Sequence, residues 1–248
     1  MTSPVVVVTG CAGGVGSATV DLLHGKGWYV VGIDRSQPGE SHSCDEWLVV
    51  DLEDSAALQR AAAGIAQRHP AIAGLVNNGA IQDLHSVAAL ELASLTQVVA
   101  VNVGSAHILT RELATALRDA HGAIVNVASV HAVASTPNMA AYASSKGALV
   151  AYTRVTALEL APEVRVNAVL PGAVDTPMLA AGLARRPQDG ARDEALAALA
   201  ARAPLGRVAR PVEVATVIEF LLDGERSSFI TGQGLVVDGG VTVRLPSE

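Results

Sequence analysis

The stretch Val5-Val6-Val7-Val8-Thr9-Gly10-Cys11-Ala12-Gly13-Gly14-Val15-Gly16 decides the fold. Four consecutive valines without a polar interruption read as a strand covered on both faces, as strands are in a parallel sheet. The glycines permit a tight turn and a close backbone approach, and a helical pattern follows at once. Free N–H groups and the positive end of that helix then converge where a pyrophosphate would be stabilised. A plain strand-to-helix turn uses the same residue types, so the cluster gains its meaning from what surrounds it.

Working outward, short β-branched runs alternate with longer alanine-rich helical stretches, which predicts βαβ units and an α/β fold built on a parallel sheet. Strands are expected at 5–9, 29–34, 47–51, 74–77, 123–128, 165–170 and 234–237, and helices near 14–26, 55–68, 93–119, 140–161 and 212–222. At 248 residues the chain is compatible with one large α/β domain, and no linker, repeat or low-complexity tail divides it. The stretch 174–210 breaks the alternation with Pro177, Pro187, Pro204 and an amphipathic run from Asp193 to Arg202. An insertion of that length between a strand and the last helix is read as a lid.

Seventeen basic against 24 acidic side chains give a net charge of -7. With two lysines and few aromatic residues, this argues against a phosphate-tracking, base-stacking surface, so no nucleic-acid partner is expected. Half the residues are hydrophobic and 17% are charged, a composition that folds. Cys11 and Cys44 are the only cysteines, and no charged-then-apolar leader precedes Val5, so a reduced, cytoplasmic setting is expected. The uncharged stretch 122–145 is interrupted by Asn126, His131, Pro137 and Asn138, and no membrane segment is expected.

Asp34 ends the second expected strand 18 residues after Gly16. An acidic side chain there can accept hydrogen bonds from ribose hydroxyls and repel a 2′-phosphate, which favours NAD over NADP, while the neighbouring Arg35 partly offsets the repulsion. Ser17 follows Gly16 where a triphosphatase loop needs Lys and Ser/Thr, so that loop is excluded.

Tyr142 and Lys146 are four apart in a helical stretch and share a face. With three Tyr and two Lys in the chain, such a spacing is expected by chance only roughly 0.02 times. Fifteen of the 17 basic residues are Arg, which makes a compact ammonium here look selected. The pair suits proton exchange with an alcohol or carbonyl oxygen: an ammonium about 4 Å from the phenol contributes ~4 kcal/mol at an effective dielectric of ~20, worth up to ~3 pH units. Ser129, at the carboxyl end of the strand that closes with Ala128, can donate to the same oxygen. Asn102 sits inside a helical run, where Asn needs a reason such as a bend or a bound water.

These residues, with Asn77-Asn78, Pro171-Gly172, Thr176 and the closing Gly-Gln-Gly-Leu-Val-Val-Asp-Gly-Gly of 232–240, mark a chain that resembles the short-chain dehydrogenase/reductase family over essentially its whole length. The resemblance implies a Rossmann-like, doubly wound sheet of seven mainly parallel strands flanked by helices on both faces. It also implies a homotetramer or homodimer with the helices of Asn102 and Tyr142 at the main interface. By the same resemblance Tyr142 is the general acid or base, Lys146 lowers its pKa and binds the nicotinamide ribose, Ser129 orients the substrate oxygen, and Asn102 holds a water in the proton relay. The cofactor, NAD, would lie along Gly10, Ala12, Gly14, Val15 and Gly16, with Asp34 and Arg35 at the ribose, Asp51 and Leu52 at the adenine and Asn78, Gly79 and Ala80 on the adenosine side. Pro171, Gly172, Val174 and Thr176 would meet the carboxamide. The family pattern is Asn-Asn-Ala-Gly, and the Gly79-Ala80 order here departs from it.

The expected reaction is therefore hydride transfer between NAD(H) and a secondary alcohol or ketone. The alternatives are an NADP(H)-dependent carbonyl or 3-oxoacyl reductase, or a catalytically silent dinucleotide-binding protein. His131, Met139 and Met178, with Leu179 and Leu183, are expected to line the substrate pocket, and Arg185 and Arg186 could serve an acyl thioester. A serine hydrolase fails because no Gly-x-Ser-x-Gly surrounds Ser129 and every His lies at or before His131. No Cys or His spacing has metal-ligand geometry, so no metal is expected.

Overall fold

A computed structural model describes residues 3–39, 42–184 and 192–243. Seven strands form one sheet in the order β3-β2-β1-β4-β5-β6-β7, where β1 is Val5–Thr9, β2 Tyr29–Asp34, β3 Glu46–Val49, β4 Gly74–Asn77, β5 Ala123–Val127, β6 Arg165–Pro171 and β7 Gly234–Val237. Every pairing is parallel, in register from Val5 opposite Tyr29 through Pro171 opposite Val237. The sheet is thus wholly rather than mainly parallel.

The valine run of β1 explains why. Val7 points into the core under α2 (Ser55–Arg68), α4 (Ser105–Asp119) and α5 (Ala140–Leu160), beside Leu58, Leu109, Leu113 and Leu117. Val6 and Val8 point the other way, toward Val20 and Leu23 of α1 (Gly14–Gly25) and Val214 and Ile218 of α8 (Pro211–Leu222). Alternate side chains are buried on opposite faces, so both faces need helices and the strand tolerates only apolar residues.

The helical run at 93–119 is longer than expected and interrupted. It comprises α3 (Leu92–Val99), a π-helical turn at Ala100–Gly104, and α4. Over Leu92–Asp119 it is long and apolar enough to cross a membrane, yet Leu109, Leu113 and Leu117 are fully buried against the sheet. β3 begins one residue earlier than the expected strand and ends at Val49, because its pairing with β2 runs from Glu46 to Val49.

The direction of winding reverses between β1 and β4, and the loops leaving these neighbours open a crevice at the carboxyl ends of the strands. The inserted stretch carries α6 (Pro177–Ala184) and α7 (Arg192–Arg202). Arg185, Arg186 and Pro187 lie outside the described residues. The insertion leaves and re-enters the fold at one place: Val174 pairs with Ala209, with Asp175 N–H donating to Ala209 O at 2.9 Å and Ala209 N–H to Ala173 O at 3.0 Å.

Candidate active site

A cavity of about 700 Å3 runs along the carboxyl ends of β1, β4, β5 and β6. Its first wall is the glycine turn. Gly10 takes a φ of +63°, donates its N–H to Ile33 O at 2.8 Å and accepts Gly13 N–H at 3.0 Å. Asn78 braces the turn from β4: its Nδ2 donates to Thr9 O at 2.9 Å and Gly10 O at 3.1 Å, and Thr9 Oγ1 accepts the N–H groups of Asn78 and Gly79 at 2.9 Å each. A Cβ on Gly14 would meet Thr176 Cγ2 at 2.6 Å, and one on Gly16 would collide with Gly10 O. The turn is therefore a cradle packed too closely at Gly14 and Gly16 for any side chain, while its N–H groups at the start of α1 suit an anionic diphosphate.

Gly10, Ala12, Gly14 and Val15 line the cavity, with Asp34, Arg35, Asp51, Leu52, Asn78, Gly79 and Ala80 beyond them. Gly16 does not; it is buried beneath the turn and serves close packing of α1 on the sheet. Asp34 ends β2 facing the cradle: Oδ2 accepts Ala12 N–H at 3.0 Å, and Oδ1 accepts the N–H and hydroxyl of Ser36 at 2.9 and 2.7 Å. The Gly79-Ala80 order is accommodated locally. Gly79 keeps a φ outside the left-handed region, and the space a Cβ would take there is filled by Leu52 Cδ1.

The opposite end of the cavity holds Ser129, Tyr142 and Lys146. Ser129 follows β5, and its Oγ accepts His131 N–H at 3.2 Å as the cap of a short 3-10 turn. Tyr142 and Lys146 lie one turn apart on α5, with Lys146 only 2% exposed and its Nζ donating to Val127 O at 2.7 Å. The electrostatics differ from the sequence expectation. Lys146 Nζ stands 5.5 Å from the centroid of the Tyr142 ring, and no lowering of the phenol by this ammonium is found. Burial instead pushes Tyr142 up to about 12, opposed by a hydrogen bond with Ser129, and pulls Lys146 down to about 7. A shared helix face guarantees proximity but not charge-to-oxygen contact, and burial is the largest influence on both groups.

Asn102 is not a cavity residue. It sits in the π turn, 3% exposed, where its Oδ1 accepts Ile81 N–H and its Nδ2 donates to Ile81 O and Ser145 Oγ, all at 2.9 Å. Its side chain is thereby committed to bracing the segment after β4 against α5. The bend that Asn needed is the π turn itself.

Pro171, Gly172, Val174 and Thr176 form the third wall, and His131, Met139 and Met178 line the substrate end with Leu179 and Leu183. The ring of His131 packs edge-on against Tyr142 at 5.9 Å. The sequence reading missed Ser36, Gln82, Ser135, Arg202 and Thr242, which also line the cavity. Thr242 arrives because Asp238, after β7, accepts the N–H groups of Gly240 and Thr242 at 2.8 Å each and packs against Gly172. That signal was within reach, in the Asp-Gly-Gly of the closing segment. Gln82 and Arg202 carry none.

Residues 10–242 match the family described as Enoyl-(Acyl carrier protein) reductase. A chain described as an uncharacterized short-chain type dehydrogenase/reductase from Sinorhizobium fredii is 37% identical over 95% of this chain, which spans 43% of that longer relative. The cyclopentanol dehydrogenase of a Comamonas species is 36% identical over 96% of both chains. The chain belongs to the short-chain dehydrogenase/reductases. A solved structure of 4-hydroxyisoleucine dehydrogenase complexed with NADH superposes with a TM-score of 0.85 at 25% identity, covering 98% of this chain and 100% of that one. Membership makes the protein an NAD(P)-dependent oxidoreductase, and the cradle fits a nicotinamide dinucleotide. Among the described residues no group of three or more His, Cys, Asp or Glu is arranged to hold a metal ion.

Proposed function

We propose that the protein interconverts a small secondary alcohol and its ketone with NAD(H), using Tyr142 as the general acid or base. The observation that carries this reading is one cavity in which the braced glycine cradle and the Ser129–Tyr142–Lys146 cluster face each other. The dinucleotide, when bound along Gly10–Val15, Asp34 and Asn78–Ala80, supplies the carbon that accepts or donates hydride. Everything else is work for the side chains. Ser129 holds the substrate oxygen and the phenol on one hydrogen-bonded line, and Tyr142 gives that oxygen its proton in reduction or takes it in oxidation. Burial holds the phenol up at about 12, so the protonated acid is its form at neutral pH, ready to give a proton in ketone reduction. Oxidation needs the phenolate and should gain as pH rises.

Lys146, anchored on Val127 O, holds a cavity-facing amine that can bond ribose hydroxyls and stabilise the phenolate when protonated. NAD is favoured over NADP by the Asp34 carboxylate, already fixed by Ala12 and Ser36 where a 2′-phosphate would have to sit. The substrate end, lined by Val130, Met139, Met178, Leu179 and Leu183, suits a compact alicyclic alcohol. The named activity of the Comamonas relative, on cyclopentanol, supports that class. Membership in a cytoplasmic homodimer or homotetramer is part of the proposal, and the exposed Val155 and Leu158 of α5 supply apolar surface for it.

A panel of cyclic and linear secondary alcohols with NAD, and the matching ketones with NADH, tests the reading. Turnover concentrated on small cyclic substrates with NAD(H) is expected. Absence of turnover on every member, in protein that binds NADH, would leave only a dinucleotide-binding protein.

A further inference from the structure

The two cysteines of the chain are 33 positions apart in sequence, yet both sulfurs crowd one point of the sheet. A Cβ on Gly32, in the middle of β2, would meet Cys44 Sγ at 2.5 Å and Cys11 Sγ at 2.7 Å, and both side chains are free thiols, 9% and 3% exposed. The lack of a side chain at Gly32 is what gives the sulfurs their space. Cys11 is a residue of the phosphate cradle, between Gly10 and Ala12, whereas Cys44 lies in the β2–β3 connection beside Asp45. We propose that Cys11 and Cys44 form a reversible disulfide that loosens the cradle's grip on the dinucleotide, making the pair an oxidant-sensitive modification site. The effect on binding rests on the proposed dinucleotide site; the cross-link itself does not.

The two thiols are inequivalent. A hydrogen bond between them lowers Cys44, against burial and the nearby Asp45 and Asp21 carboxylates, and raises Cys11, which burial and Asp34 raise further. Cys44, the more exposed of the two thiols and the one that is lowered, is assigned as the first nucleophile and Cys11 as the resolving thiol. With hydrogen peroxide as oxidant, the Cys44 thiolate attacks one oxygen, the O–O bond breaks, and the departing hydroxide takes up a proton as water. Cys11 then attacks the Cys44 sulfenic sulfur; the S–O bond breaks, the S–S bond forms, and the hydroxyl leaves with the Cys11 proton as a second water. Two thiols lose two electrons and two protons, and peroxide becomes two waters. In a reducing compartment such a pair is transient and can act as a sensor rather than a staple.

The consequence for the cradle follows from how the two thiols are held. A disulfide brings the sulfurs to ~2.05 Å, closer than any hydrogen-bonded pair. Cys44 is followed by Asp45, pinned to β2 twice: its N–H donates to Val30 O at 2.9 Å, and its Oδ2 accepts Val30 N–H at 2.7 Å. On the other side Cys11 lies between Gly10, whose N–H donates to Ile33 O at 2.8 Å, and Ala12, whose N–H is held by Asp34 at 3.0 Å, so the pull strains the amides of the cradle itself. A displacement on the order of 1 Å in a positioning element can cost one to two orders of magnitude in its function.

The test uses the reduced, desalted full chain, treated with hydrogen peroxide and then divided for non-reducing peptide mapping and NADH titration by fluorescence. A Cys11–Cys44 cross-linked peptide is expected, with NADH affinity weakened by about tenfold and recovered on dithiothreitol treatment. Cys44→Ser should bind NADH like the reduced wild type and keep that affinity after peroxide. Two unlinked thiols after oxidation would overturn the proposal, as would a cross-link formed without change in affinity. Equal peroxide sensitivity of Cys44→Ser would overturn it too. Reduced protein that does not bind NADH, but does form the cross-link, would instead reject the dinucleotide reading.

Discussion

Replacing Lys146 by Met should make the protein more stable at neutral pH while abolishing its activity. Lys146 is 2% exposed and, among the described residues, donates only to Val127 O at 2.7 Å and has no carboxylate acting against the burial that draws it from 10.5 to about 7. Keeping this ammonium protonated in the folded chain costs roughly 5 kcal/mol at about 1.4 kcal/mol per pH unit. Between pH about 7 and 10.5 the unfolded chain holds a proton that the folded chain has released, so stability rises with pH across that window. The penalty is whole below about 7 and gone above 10.5. Met removes the penalty but leaves Val127 O without its donor, a loss of ~1–3 kcal/mol. The net gain at pH 6–7 is ~2 kcal/mol, or a Tm higher by ~4–8 °C for a domain of this size. Unfolding followed by circular dichroism from pH 6 to 10 on both proteins measures the difference directly. It should shrink as pH rises and change sign at roughly pH 8–10, where the falling penalty drops below the ~1–3 kcal/mol lost at Val127 O. A Lys146→Met protein less stable than wild type at pH 6, or a difference that does not depend on pH, would refute the burial argument. A charge kept at such a cost is the mark of a residue retained for chemistry.

Asp34→Ser should raise the ratio of kcat/KM for NADPH over NADH about 30-fold, the equivalent of ~2 kcal/mol of relieved repulsion, and an unchanged ratio would remove Asp34 from cofactor choice. Gly14→Ala should weaken NADH binding or stability by ~1–3 kcal/mol through its contact with Thr176 Cγ2 at 2.6 Å, and Thr176→Ser, which lacks that methyl, should restore most of the loss. Asn102→Ala should lower Tm by several degrees, by stripping the Ile81 backbone and Ser145 of their partners at a cost of ~1–3 kcal/mol, with kcat falling more than NADH affinity.

What the sequence disclosed was what is written locally. The valine run, the glycine turn and the four-residue spacing of Tyr142 and Lys146 each depend on neighbours within one element, so period and spacing sufficed to place them. Asp34 was legible because it ends a strand at a set distance from the turn. The rest depends on contacts between distant segments. The tie of Val174 to Ala209, which makes the insertion a closed excursion, has no local signature. Asn102 announced a bend, but only the fold reveals that its amide is spent on Ile81. The burial of Lys146 and Tyr142 was not legible for a physical reason: an (i, i+4) pair fixes separation along a helix, while burial is a property of everything packed around it and shifts both groups.

The central claim is that the Tyr142 hydroxyl moves the substrate proton beside a dinucleotide held by the cradle. Its most direct measurement is turnover and NADH affinity of Tyr142→Phe, side by side with wild type, on whichever alcohol the panel identifies. The account predicts turnover lost by at least ~100-fold with NADH affinity nearly intact. Turnover close to wild type in that variant would contradict it.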